Sequence, residues 1–248
     1  MAHFDYLLRL ADSPLILGQR LSALLGHGPV LEEDIALANV TLDLLGQARE
    51  LLALAGLVEG RGRDEDALAF LREEREFRNV TLVELPNGDF ARVMVRNLLF
   101  CARQELLWEA LCQSADATLA AVSVRALGAS RYHRRHAADW VVRLGDGTPE
   151  SHHRSQTALD ELWPYARELF DDDAVEREAA ADGTGVLLAS LESRWQSAVR
   201  AVLAEATLTV PSDTAFLPRG TRGRHSEHMG HLLAEMQYLQ RAYPGGSW

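Results

Sequence analysis

Apolar side chains recur at intervals of three and four along most of this chain, the spacing that lines one face of an α-helix, and rarely at the interval of two that builds a half-buried strand. Leu, Ala, Arg and Glu dominate and β-branched residues are scarce, so intrinsic propensity points the same way. Breaks at Gly26 to Pro29, Asp64, Pro86-Asn87-Gly88 and Gly145 to Pro149 divide the pattern, with Thr148 as N-cap and Pro149 at the first helical position. The expected helices cover residues 4–25, 31–57, 64–85, 89–115, 117–144, 149–170, 186–206 and 225–241. Short connections between the four segments from 31 to 144 predict an antiparallel four-helix bundle over about 31–144. The other helices pack around it in a single all-α domain spanning 1–248. Residues 171–184 and 210–224 read as surface connections, and Pro14 as the start of, or a kink in, the first helix.

The balance of charges excludes several functions. The net charge of −11 argues against binding a phosphate backbone, and no apolar run approaches the ~20 residues that cross a bilayer. Neither nucleic acid nor membrane is an expected partner. All 25 basic residues are Arg, which removes Schiff-base, P-loop and lysine general-base chemistry. Residues Met1 to Arg9 lack the features of a secretory signal, so the reading is cytoplasmic. Cys101 and Cys112, if on one helix, lie about 16 Å apart at ~1.5 Å per residue, which suits core thiols rather than a disulfide. A Gly-x-Ser-x-Gly elbow, a Gly-rich phosphate loop and a Cys-x-x-Cys motif are all missing, so the chain does not read as a self-sufficient enzyme.

Four groups of residues could carry chemistry. Asn39, Asp43, Gly46, Gln47 and Glu50 form a polar stripe on an otherwise apolar helix, facing either solvent or an interior site. A carboxylate-bridged di-iron centre takes a carboxylate from each of two helices and Glu-x-x-His from each of two others, because three residues turn a helix through ~300° and aim both groups at one metal. Asp43 and Glu105 supply the single carboxylates, but Glu76 is followed three residues later by Asn79, and the positions before His133 are Ala129 and Ser130. Both paired motifs are broken. Arg131, Arg134 and Arg135, with His133 and His136, form a second group that could grip phosphates or a partner, against the alternative of a solvated helix face. His228, His231 and Glu235 share one helical face and could hold a divalent metal, or simply touch a neighbouring helix.

Several long blocks occur in an order that resembles the C subunit of the bacterial phenylacetyl-CoA epoxidase (phenylacetate-CoA oxygenase) family. They are Leu37-Ala-Asn-Val-Thr-Leu-Asp-Leu-Leu-Gly-Gln-Ala-Arg49, Glu76-Phe-Arg-Asn79, Glu84-Leu-Pro-Asn-Gly-Asp-Phe90, Arg131-Tyr-His133, Trp140 with Arg143-Leu-Gly-Asp-Gly-Thr148, and Glu205-Ala-Thr-Leu208. Glu227-His228 and Ala234-Glu-Met-Gln-Tyr-Leu-Gln-Arg241, ending in Pro244 and Trp248, complete the set.

The resemblance implies a ferritin-like bundle within a multicomponent monooxygenase of aerobic phenylacetate breakdown. In such a complex the sister A subunit carries the di-iron centre and epoxidises phenylacetyl-CoA with dioxygen, while a reductase subunit passes on electrons from NADPH. The C subunit is implied to be non-catalytic, with no cofactor or metal of its own, holding the catalytic A subunit and meeting other subunits of the complex. Where relatives often carry a glutamate ahead of the Tyr-His pair, this chain has Ala129. Arg131, Arg134 and Arg135 are then candidates for contact with the CoA phosphates or a partner. The rival reading is a self-sufficient di-iron oxygenase or ferritin-like iron protein using Asp43, Glu76, Glu105 and His133; a third is a helical regulatory module.

Overall fold

The computed structural model describes residues 2–246; Trp248 lies outside the described residues. Among the described residues ten α-helices follow one another: α1 (Ala2–Ser22), α2 (Leu31–Glu59), α3 (Glu65–Phe70), α4 (Phe90–Leu111), α5 (Ala117–Gly145), α6 (Pro149–Leu162), α7 (Ala174–Ala181), α8 (Glu192–Glu205), α9 (Glu227–Met236) and α10 (Tyr238–Ala242). No strand occurs among the described residues. Among the described residues no helix is long and apolar enough to cross a membrane. Packing divides the chain into two units, residues 1–86 with 218–248, and residues 87–217.

In the first unit α1 and α2 form a long antiparallel hairpin. The Asp34 carboxylate closes its loop by accepting from the Gly26 and Gly28 amides at 2.7 and 3.0 Å. Leu7, Ile16, Leu17 and Leu21 of α1 and Leu37, Leu44 and Leu51 of α2 are buried. At Gly18 the helices approach so closely that a Cβ would lie 2.9 Å from a methyl carbon of Leu45. Pro14 sits inside α1.

The expected helix over 64–85 is not formed. Only α3 and two short 3₁₀ turns, Glu74–Glu76 and Thr81–Glu84, occupy that stretch. Two side chains of α1 take backbone donors that a helix would have used. The Asp12 carboxylate accepts from Arg78 N at 2.7 Å, and Ser13 Oγ accepts from Val80 N at 3.1 Å. Tertiary bonding thus overrides an acceptable helical pattern. The long partner of α2 within this unit is consequently α1, not a helix from 64–85.

In the second unit α4 and α5 make the corresponding hairpin, with α5 begun by Asp116, which accepts from the Thr118 and Leu119 amides. Thr148 caps α6 and Pro149 occupies its first turn, as the sequence pattern predicts. The expected helices 149–170 and 186–206 are each shorter and preceded or followed by 3₁₀ turns, Trp163–Phe170 and Leu188–Leu191. Likewise 225–241 is two helices, α9 and α10. The expected loop over 171–184 contains α7, started by a capping box between Asp173 and Glu176. Trp163, Phe170 and Trp195 cluster at ring separations of 5.6 and 5.2 Å, and the Trp195 indole donates to the Leu99 carbonyl at 2.9 Å, tying α8 to α4.

Candidate functional site

The basic segment of α5 is anchored rather than free. Arg134 Nε donates to Glu105 of α4, and Arg131 Nε stands 3.7 Å from the same carboxylate. Arg135 is exposed and lies over the Tyr132 ring at 6.0 Å, while Tyr132 stacks on His136. His133 is buried. Beside this segment runs an open groove of about 550 Å³, lined by Glu105, Arg134, Ser193, Arg194 and Ser197. Arg194 pairs with Glu109 at 2.7 Å, so each arginine on the groove faces a glutamate. The structure therefore assembles two of the three candidate arginines around one acidic partner and leaves the third exposed.

Taken position by position, the residues do not fit a di-iron centre. Glu76 is exposed, and its Oε2 accepts from the Glu73 amide at 2.7 Å in a capping box. Asn79 is fully buried and turns its donor side toward Glu84, at 2.9 Å, and the Val80 carbonyl, at 3.1 Å. The two no longer share a helix, so the three-residue spacing loses its geometric meaning. Ala129 offers a methyl group, and the Glu105 carboxylate is engaged by arginines.

The polar stripe on α2 divides. Asn39, Asp43, Gly46 and Glu50 are exposed, and Gln47 is buried. The α9 triad is not assembled: among the described residues no three His, Cys, Asp or Glu side chains come together in a group that could hold a metal ion. His231 and Glu235 are exposed, and His228 is half-buried.

A polar centre that sequence reasoning missed lies in the first unit around Glu84. Its Oε2 accepts from Asn79 Nδ2 and, at 2.8 Å, meets His225 Nδ1. Its Oε1 accepts from Ser226 N, and its carbonyl accepts from Arg20 Nε at 2.8 Å. The other His225 nitrogen faces the Phe77 carbonyl at 3.2 Å. Burial drives the His225 pKa down, but the Glu84 hydrogen bond and charge, the Phe77 carbonyl and the Glu74 charge outweigh it and leave it above the ordinary value. Nearby, Asp12 and Arg72 form a fully buried ion pair at 2.5 Å, with the guanidinium 4.2 Å from the centre of the Phe77 ring. The clue in sequence was the Glu84-Leu-Pro-Asn block together with the His-rich opening of the last helical segment; nothing in their spacing linked them. These two buried polar groups hold the irregular 71–86 segment in place of a helix. Their charged groups are paired with one another and bonded to backbone atoms of Arg78, Ser226, Phe77 and Glu76.

Elsewhere burial pushes the Cys101 thiol up to about 12, and both cysteines are free, consistent with an unreactive core position at 101.

The family model described as phenylacetic acid catabolic protein matches residues 1–248. The C subunit of the 1,2-phenylacetyl-CoA epoxidase of Escherichia coli (strain K12) is 46% identical over 243 residues, which cover 98% of each chain. The fold is accordingly all-α and ferritin-like.

Proposed function

Because this chain belongs to the phenylacetic acid catabolic protein family, we propose that it is the C subunit of a 1,2-phenylacetyl-CoA epoxidase and that its role there is structural. The observation that carries the reading is the 46% identity to an epoxidase C subunit over 98% of both chains. The protein works in the cytoplasm, binds the catalytic A subunit and other subunits of the complex, and carries no iron of its own. The di-iron centre resides in the catalytic subunit, and NADPH serves the complex through its reductase. Phenylacetyl-CoA is the substrate of the assembly.

The donor chemistry supports this division of labour. An amide turned donor-side inward at Asn79, a methyl at Ala129 and a carboxylate clamped by arginines at Glu105 leave no ligand set of the di-iron type. What the chain contributes is two helical hairpins, the first tied to the irregular 71–86 segment by two buried ion pairs, as surfaces against which a partner's bundle keeps its ligand geometry.

The test has two parts. Purified from iron-replete cells, the chain alone carries near-zero iron by elemental analysis; close to two per chain would establish the self-sufficient di-iron reading instead. Co-expressed with the catalytic subunit, it co-purifies and raises that subunit's yield and iron retention; failure of the two to associate would end the structural-partner reading. Contact with CoA is a finer point of the same proposal. Replacing Arg134 and Arg135 together with Gln in the assembled complex lowers CoA-ester affinity without dissolving the complex, and unchanged affinity would remove these residues from that role.

A further inference from the structure

Residues 218–246 return to the irregular 71–86 segment and are held there by a small apolar patch and a set of polar contacts. Of α9, Met229, Leu232 and Leu233 are buried, and of α10 no residue is. The far end is tied by side chains that reach backbone carbonyls. Gln237 Nε2 donates to Ala69 and Arg72, at 3.3 and 3.0 Å, and Arg241 Nη2 donates to Arg72 at 3.0 Å. The near end is seated by glycine. A Cβ at Gly220 would collide with the Asn79 carbonyl oxygen, and one at Gly223, where φ is +71°, with that of Arg75. The two backbones therefore lie closer than a side chain at either position allows. Next to this seat stands His225, its side chain fully buried.

We infer that residues 218–246 form a strap latched to the 71–86 segment by His225, and that the strap opens as one unit when the imidazolium gives up a proton, while the α1/α2 hairpin stays closed. The latch works because neither partner of the ring can donate. Nδ1 stands 2.8 Å from the Glu84 carboxylate and Nε2 3.2 Å from the Phe77 carbonyl. A neutral ring carries one N–H, so either tautomer turns a lone pair against an oxygen inside a buried site. Glu84 cannot turn away without further loss, because its carboxylate also accepts from Asn79 Nδ2 and Ser226 N. The surrounding charges are mixed. Glu84 and Glu74 favour the imidazolium and hold its pKa above the ordinary value against the effect of burial. Arg20 of α1 donates to the Glu84 backbone carbonyl, and Arg78 donates to the Phe77 carbonyl at 3.0 Å. Arg72 lies over the Phe77 ring but is balanced by Asp12. On the strap itself Arg222 is half-buried, and Arg224 and Glu227 are exposed. The α1/α2 hairpin does not share the latch: it is closed by buried aliphatic side chains along both helices, so its opening belongs to a costlier unit than that of the strap.

This inference stands apart from the epoxidase reading, because it concerns the chain by itself. The full-length native chain and His225→Gln are compared by amide hydrogen exchange with mass-spectrometric readout. Labelling runs from about pH 6 to about pH 9, from just below the ordinary histidine value of about 6.5 to well above it, with times scaled to the intrinsic exchange rate at each pH. In the native chain, peptides from 219–241 are expected to quicken at least about tenfold over one pH step, the equivalent of one pKa unit of linkage, while those of α1 and α2 keep their protection. In His225→Gln the strap is expected to be fast already at the low end and to show no step. Nitrogen NMR of the histidine-labelled native chain supplies a readout that needs no variant to fold, and it is expected to place loss of the second ring proton at the pH of the exchange step. Strap peptides indifferent to pH, protection lost equally by α1 and α2, a ring neutral throughout the range, or a step retained in His225→Gln would each overturn the latch.

Discussion

Glu84 and His225 stand 141 positions apart in sequence and meet at 2.8 Å with both side chains fully buried. The second ring nitrogen of His225 faces the Phe77 carbonyl, so each nitrogen looks at an oxygen that can only accept. Both positions are satisfied together only by the doubly protonated imidazolium, whose charge the Glu84 carboxylate balances. The pair fastens residues 218–226 onto the irregular 71–86 segment, an attachment also made by Gly220 N donating to Thr81 Oγ1 at 3.2 Å.

The His225 pKa is held above its ordinary value, so the charged form is favoured by folding. A group of this kind contributes stability that is complete below the unfolded histidine pKa of about 6.5 and is lost as pH rises through the higher folded value. Urea unfolding midpoints of the native chain should therefore fall across that interval relative to those of His225→Gln, which has no such proton to lose. Parallel midpoints for the two proteins at every pH would show that the imidazolium is not linked to folding.

Asp12 and Arg72 make a second test of buried charge. Asp12 receives both guanidinium nitrogens, at 2.9 and 2.5 Å, together with the Arg78 amide, and Arg72 also donates to the Glu76 carbonyl. Removing one partner leaves the other charge buried without compensation, at a cost of ~3–5 kcal/mol. Asp12→Ala is expected to lose that much by chemical denaturation, whereas the double replacement Asp12→Leu/Arg72→Met recovers a large part of it. A single-variant loss under about 1 kcal/mol, the range of exposed pairs, would place the pair in water rather than in the core.

These two pairs also explain what the sequence revealed and what it hid. The long helices α1, α2, α4 and α5 follow from apolar spacing alone, although the pairing of α1 with α2 does not, and Thr148-Pro149 announced its helix because a cap is a local interaction between neighbours. Residues 64–85 carried a tolerable helical pattern, but the decisive contacts came from Asp12 and Ser13, more than 60 positions away. The capping box at Asp173 and Glu176 was visible, yet acidic and Gly-containing surroundings masked it as a loop. At the candidate sites, the broken di-iron spacing could be seen residue by residue. The Glu84–His225 contact could not, because no spacing rule joins residues in different elements. For the same reason the arginines of α5 gave no sign that Glu105 occupies two of them.

Gly145 and Gly46 provide a paired prediction about backbone space. At Gly145, the last residue of α5, an added Cβ would lie 2.3 Å from the Ala206 carbonyl oxygen and 2.8 Å from the Ala206 Cβ, a backbone contact that no rotamer change relieves. Gly145→Ala is expected to destabilise by roughly 1–3 kcal/mol, as overpacking does. Gly46 lies in mid-helix with open space around it, and Gly46→Ala should stabilise by up to about 1 kcal/mol through helix propensity. Thermal midpoints of the two variants moving in the same direction would contradict the packing at one of these glycines.

Trp195 is the remaining joint whose strength can be separated into parts. Its ring fills the cluster with Trp163 and Phe170, and its buried Nε1 donates to the Leu99 carbonyl. Trp195→Phe keeps most of the apolar contact but abandons that carbonyl, so a loss of ~1–3 kcal/mol is expected from the orphaned acceptor together with the smaller ring. Trp195→Ala empties the site as well and should cost ~3–5 kcal/mol. Equal losses for the two would mean that the hydrogen bond, not the packing, carries the attachment of α8 to α4. The complementary readout is amide hydrogen exchange in α8, which should quicken in Trp195→Ala before that of α4 does, because α8 is held by this cluster while α4 also packs along the full α5 hairpin.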